Sequence, residues 1–168
     1  MNASSRRSVL QGPAGQLEIL RDEPGAAAGN TRRGVAVIAH PHPLFGGTMD
    51  NKVVQTLARA FVQCGWSAVR FNFRGVGGSA GAHDNGHGEI DDLLAVVAEC
   101  ASDTPLALAG FSFGAFVACG AAERLHAGRA LAQLVLVGLA AGRFVVAPVA
   151  ADLHLQTLLI HGELDDTV

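Results

Sequence analysis

The chain reads as an α/β fold: a mainly parallel sheet with helices on both faces, preceded by an N-terminal antiparallel hairpin. Three observations predict it. Short apolar runs alternate with stretches in which apolar residues recur at helical spacing. Hydrophobic residues make up 49% of the 168 residues and charged residues only 16%, the balance expected of strands covered on both sides. Gly110-Phe111-Ser112-Phe113-Gly114 stands between the apolar run Leu106 to Ala109 and a second run from Ala115 to Ala122, which places a serine at a sharp strand-to-helix turn.

The elements follow in order. Ser8 to Leu20, broken by Gly12-Pro13-Ala14-Gly15, predicts the hairpin, and Asp22 to Arg33 a Gly/Ala-rich loop. Gly34 to Ala39 is the first buried strand; Val53, Val54, Leu57, Ala58 and Phe61 then mark a helix that Gly65 stops. Ser67 to Phe73 is a strand, Arg74 to Gly88 a glycine-rich loop, and Ile90, Leu93, Leu94 and Val97 the inner face of a helix ending before Pro105. The serine turn comes next, with its strand and helix. Leu131 to Leu139 and Leu155 to Ile160 are two further strands, joined by the short segment Ala140 to His154. Residues 1–168 are expected to form a single domain, with residues 1–33 as hairpin and loop within it.

Such a succession requires right-handed crossovers, and parallel sheets place their sites at the carboxyl ends of the strands. His40, Arg74, Ser112 and His161 all fall just after strands and so gather on one edge. With 21 glycines and seven serines, about 0.1 matches to G-x-S-x-G arise by chance, so the context matters. A second match, Gly77-Gly78-Ser79-Ala80-Gly81, leads into Ala82-His83-Asp84-Asn85-Gly86, which cannot open an apolar helix. Context selects Ser112 over Ser79.

The charge balance restricts partners. Net charge is −3 and no basic run exceeds Arg6-Arg7 or Arg32-Arg33, so no nucleic-acid partner is expected. Pro105 to Ala122 is uncharged, but no basic cluster flanks it and it opens on a strand-like Leu-Ala-Leu-Ala, so no membrane span is expected. Cys64, Cys100 and Cys119 fall in apolar helical stretches without metal-like pairing. Met1 to Leu20 lacks an apolar signal core, which predicts the cytoplasm.

A serine attacking an acyl carbon needs a base, an orienting acid and donors for the oxyanion. The Phe113 N–H, at the helix start, is one donor. The other is expected from His40-Pro41-His42-Pro43-Leu44-Phe45-Gly46-Gly47, where neither proline has an N–H; His42 is the first choice and Leu44 the second. Alternate histidines also begin some zinc sites, but no Asp-His pair follows, so neither metal nor cofactor is expected. Leu158 to Asp165 ends a strand with a glycine turn and a carboxylate beyond, making Asp165 the candidate acid and Asp166 its alternative.

Taken together, these blocks resemble the α/β-hydrolase superfamily, and within it the compact, lidless bacterial members. The likeness runs from Gly34 to Val168 through His-Pro-His-Pro with Gly-Gly-Thr-Met, Arg-Phe-Asn-Phe-Arg-Gly-Val-Gly, Gly-Glu-x-Asp-Asp and Gly-Phe-Ser-Phe-Gly. The resemblance implies Ser112 as nucleophile, Asp165 as acid, Phe113 and His42 as oxyanion donors, and a small-molecule acyl substrate. It also implies a base on a histidine after a further strand, a slot that none of His83, His87, His126, His154 or His161 fills. The sequence therefore reads as C-terminally incomplete, its last strand and helix and the catalytic histidine lying beyond Val168. Two functions follow as expectations: a serine esterase-like hydrolase, or a non-catalytic scaffold of the same fold. An edge left open at Leu155 to Ile160 also offers a route to homodimers.

Overall fold

The computed structural model describes residues 4–25 and 32–163. Strands β1 (Ser4–Gly12) and β2 (Gly15–Glu23) form the expected antiparallel hairpin, longer at both ends than the apolar pattern alone marks. Then come β3 (Val35–Ala39), α1 (Lys52–Gln63), β4 (Ser67–Phe71), α2 (His87–Ala101), β5 (Leu106–Phe111), α3 (Phe113–His126), β6 (Leu131–Val137) and β7 (Thr157–Ile160). They make one seven-stranded sheet in the order β1-β2-β4-β3-β5-β6-β7, antiparallel across β1-β2-β4 and parallel from β4 to β7.

Strand alternation divides the core between the two faces. Ala36, Ile38, Ala68, Ala107 and Ala109 meet Val54, Ala58 and Phe61 of α1 on one face. Val35, Val37, Val69, Phe71, Leu106 and Leu108 meet α2 and α3 on the other. Asn51 caps α1 by accepting from the Val53 N–H at 2.9 Å, and Gly65, at φ 85°, turns the chain out of the helix as expected.

Several details differ from the sequence reading, β4 for one ending at Phe71 and not at Phe73. The buried stripe of α2 is Ile90, Leu93, Val96 and Val97, with Leu94 only partly covered; it also contains Glu89 and Asp92, both 0% exposed. Cys64 lies at the C-cap of α1 and is exposed, not within a helix; Cys100 is half-buried and Cys119 is buried. The last two strands are shorter than expected, because Gly138 at φ 51° ends β6 and a 3₁₀ segment, Ala151–Gln156, precedes β7. Among the described residues β7 is the outermost strand, with Leu158, Leu159 and Ile160 48%, 57% and 47% exposed. No helix among the described residues is long and apolar enough to cross a membrane.

The β5–α3 turn is held by glycines on either side of the serine. A Cβ on Gly110 would lie 2.2 Å from the Gly114 carbonyl oxygen, and one on Gly114 would lie 2.4 and 2.5 Å from the carbonyl oxygens of Ala39 and His40. Ser112 takes φ 54°, ψ −116°, the positive φ of a nucleophile elbow, a sharp strand-to-helix turn that presents a serine, and its N–H donates to the Val137 carbonyl at 2.9 Å. A non-glycine residue held there stores on the order of 1–3 kcal/mol of strain, which the surrounding packing must offset.

His40, fully buried after β3, joins two strand ends. Its Nε2 accepts from the Phe73 N–H at 3.1 Å and its Nδ1 lies 2.6 Å from the Pro41 carbonyl, which fixes a neutral ring protonated on Nδ1. Burial holds its pKa down at about 4.

Two outcomes follow. Gly114→Ala should lower the urea-unfolding free energy by about 1–3 kcal/mol or more, because the added methyl meets backbone that cannot move aside; unchanged stability would contradict the close approach. His40 is neutral when folded but takes a proton in the unfolded chain below pH about 6.5, so its contribution is intact above that pH and lost as pH falls to about 4. The stability advantage of the wild type over His40→Gln should therefore shrink by about 3 kcal/mol across that window; a constant difference would show that His40 does not titrate as described.

Candidate active site

Ser112 closes β5 and opens α3, so its side chain stands at the carboxyl edge of the sheet above the first turn of a helix. That turn begins with amides that have no partner inside the helix, and the Phe113 N–H belongs to it. Phe113 itself is fully buried, its ring against Phe73, Phe116 and Phe144 at 5.8, 5.8 and 5.5 Å between centroids. The amide beside the serine is thus fixed by a packed aromatic side chain.

The turn after β3 faces this point. Pro43–Phe45 form a 3₁₀ turn with His42 as its cap, and Gly46 leaves it at φ 78°. The His42 carbonyl accepts from the N–H groups of Phe45 and Gly47, both at 3.1 Å, and the Leu44 N–H donates to His42 Nδ1 at 3.2 Å. The Leu44 N–H, the second of the two alternatives for an oxyanion donor, is therefore engaged within the turn. The bond also sets the tautomer: a neutral His42 that accepts at Nδ1 carries its proton on Nε2. Burial, followed by the neighbouring His83, lowers the His42 pKa.

A cleft of about 710 Å³ opens between these elements, lined by Pro41, His42, Phe45, Ser112, Phe113 and Phe144 together with Ala140 and Arg143. Phe45 is 83% exposed at its mouth, and Phe144 stacks on Phe116 at 4.7 Å. The segment between β6 and β7 supplies one wall through Ala140, Arg143 and Phe144. The walls are mainly aromatic and apolar, and the polar side chains that line them are those of Ser112, His42 and Arg143.

Of the residues expected at the site, the structure brings Ser112, Phe113 and His42 together around one cleft. Asp165 and its alternative Asp166 lie outside the described residues. Ser79 is 8% exposed; its hydroxyl donates to the Asn72 carbonyl at 2.7 Å and accepts from the Glu18 N–H at 3.0 Å, a structural tie between loop and hairpin. Arg74 is at the strand edge as expected but is bound to Asp92 through Nε at 3.0 Å and Nη2 at 2.8 Å. Among the other histidines, His126 lies 3.8 Å from Asp152 and His154 Nε2 3.1 Å from the Val149 carbonyl, while His161 is exposed after β7.

Residues that sequence reasoning passed over are Phe45 and Phe144 on the walls and Glu89 behind them. The signal for Glu89 was its place in Gly88-Glu89-Ile90-Asp91-Asp92, where two acidic residues fall on the helical stripe of Ile90 and Leu93. Nothing in periodicity marks the walls. Among the described residues no group of three or more His, Cys, Asp or Glu side chains is placed to hold a metal ion.

The comparisons agree with this geometry. A family model described as serine aminopeptidase, S33, matches residues 31–157. An α/β serine hydrolase without a lid from Xanthomonas campestris is 39% identical, with a TM-score of 0.82 over 96% of this chain and 72% of that one. An α/β serine hydrolase homologue from Coxiella burnetii is 40% identical, with a TM-score of 0.74 over 94% of this chain and 73% of the other. An uncharacterized protein of Rickettsia prowazekii is 41% identical over 113 residues, 65% of this chain, and the match spans 46% of that relative's length. A glycine-clasped serine turn on this sheet order, one family model over most of the length, and close superposition on α/β serine hydrolases lead to one conclusion: the chain belongs to the α/β-hydrolase superfamily.

Proposed function

We propose that the protein is a cytoplasmic serine hydrolase that cleaves a small ester or related acyl compound through an acyl-enzyme on Ser112. The observation that carries this reading is Ser112 itself, held at φ 54° between glycines that admit no side chain and opening onto an aromatic-walled cleft. Strain of that kind persists where a hydroxyl must be presented at a defined angle.

In the reaction, Ser112 Oγ attacks the acyl carbon while its proton passes to the base. The carbonyl oxygen becomes an oxyanion that accepts from the Phe113 and His42 main-chain N–H groups. Collapse expels the alcohol, which takes the proton back, and water repeats the sequence on the acyl-serine to release the acid. Asp165 orients the base, with Asp166 as its alternative. The base is a histidine other than His40 and His42. Support comes from the nearby imidazoles: His40 uses both ring nitrogens within the fold, and His42 Nδ1 accepts from Leu44, leaving its Nε2 a donor. Neither can take the serine proton. The aromatic walls and the short link that leads from β6 towards β7 suit small or extended acyl groups.

The test uses the full-length protein and p-nitrophenyl acetate. A fluorophosphonate probe should label Ser112 and leave Ser79 unlabelled. Ser112→Ala should lose labelling and at least about 10³-fold of kcat, retaining the modest rate that binding and the oxyanion donors supply. Undiminished hydrolysis or labelling in Ser112→Ala would overturn the proposal.

A further inference from the structure

The carboxylate of Glu89 is 0% exposed, yet it lies only a loop away from the cleft. Its Oε1 accepts from the Asp84 N–H at 2.9 Å and its Oε2 from the Gly86 N–H at 2.8 Å, which closes the 83–86 loop onto the N-terminus of α2. Oε1 also lies 2.8 Å from His83 Nδ1, a close contact without an aligned hydrogen bond that seats the ring beside the carboxylate. The loop has little freedom to move back, because Gly86, at φ 98°, is packed on Phe116: a Cβ there would lie 2.4 Å from that ring.

The ring so placed touches both proposed oxyanion donors. Its centroid is 4.8 Å from that of His42 and 5.5 Å from that of Phe113, and the His42 and Phe113 rings are themselves 4.8 Å apart. The three rings form a closed wedge under the β3 turn and the first residue of α3. His42 is bound on its other side by the Leu44 N–H, so its ring cannot shift without moving the turn that aims its main-chain N–H.

We propose that His83, held by the buried carboxylate of Glu89, is a positioning residue that fixes the His42 main-chain N–H against the developing oxyanion. It rests on the reading of His42 as an oxyanion donor. The oxyanion forms only in the transition state, so slack in this wedge acts on kcat and leaves substrate binding unchanged. Loss of one donor outright lowers kcat by about 10²- to 10³-fold, and a donor that is loosened but not lost should cost about 10-fold.

The test is a double-mutant cycle on the full-length protein with p-nitrophenyl acetate, kcat being taken per serine labelled by fluorophosphonate. His83→Ala and Glu89→Gln should each lower kcat about 10-fold with KM unchanged, and the double variant should lose no more than either alone, because Glu89 acts through His83. His83→Phe, which restores the ring wedge, should recover most of the loss in His83→Ala. The proposal is overturned if kcat per labelled serine is unchanged in His83→Ala whatever its melting temperature, or if KM alone rises. It is equally overturned if Glu89→Gln costs as much in the His83→Ala background as by itself. Should Glu89→Gln fail to fold, the His83→Ala and His83→Phe pair decides: no rescue by the ring rejects the wedge. Ser112→Ala run in parallel separates the two readings, since activity surviving there removes the hydrolase proposal, whereas activity lost there and kept in His83→Ala removes only this one.

Discussion

Two stretches of backbone meet at the start of α3 with nothing between them, and the site depends on that contact. Gly114 lies so close to the carbonyls of Ala39 and His40 that a methyl group would overlap both, and Gly110 stands in the same relation to Gly114. The close approach draws the helix onto the ends of β3 and β5, which forces Ser112 into positive φ and sets Ser112 and Phe113 against the same cleft. Close packing of the sheet and presentation of the serine are thus one geometric requirement, met by residues without side chains.

Around this contact runs a layer of buried polar groups, each supplied with partners. Asp92 takes the Arg74 guanidinium through two nitrogens and the Arg74 main-chain N–H at 3.0 Å, and Glu89 takes two loop amides. A carboxylate left bare at such depth would cost several kcal/mol, so these bonds are required for the residues to be inside at all. His40 meets the same demand by remaining uncharged. Together they tie the loops that follow β3 and β4 to the N-terminus of α2, and so the mobile parts of a typical strand-end site are pinned from beneath.

Much of this was legible in the sequence because it depends on period and punctuation. The alternation of runs marked every strand and helix, and Gly110 and Gly114 flanking Ser112 marked the elbow down to its backbone angle. What escaped were consequences of tertiary placement. Glu89 and Asp92 are polar residues on a buried stripe, and helical periodicity reads them as solvent-facing until Arg74 and the 83–86 loop are seen to cover them. Phe45 and Phe144 become cleft walls only because turns distant in sequence converge. The hydrogen bond from the Leu44 N–H to the His42 ring, which engages one of the two candidate donors, is something that no pattern of residue types encodes.

The strand order also bears on how the chain can assemble. Once the hairpin and β3 exist, β4 joins them by pairing with β2 on one side and β3 on the other; β5 then adds to the free edge of β3, and β6 and β7 each to the outer edge of the strand before. After β4, no strand has to enter between two that are already paired, so the sheet can grow in the order in which the ribosome delivers it. The serine turn reaches its final form only when β6 arrives, because the Ser112 N–H is held by the Val137 carbonyl. During synthesis, the strained backbone is therefore locked only after the sheet that supports it has formed.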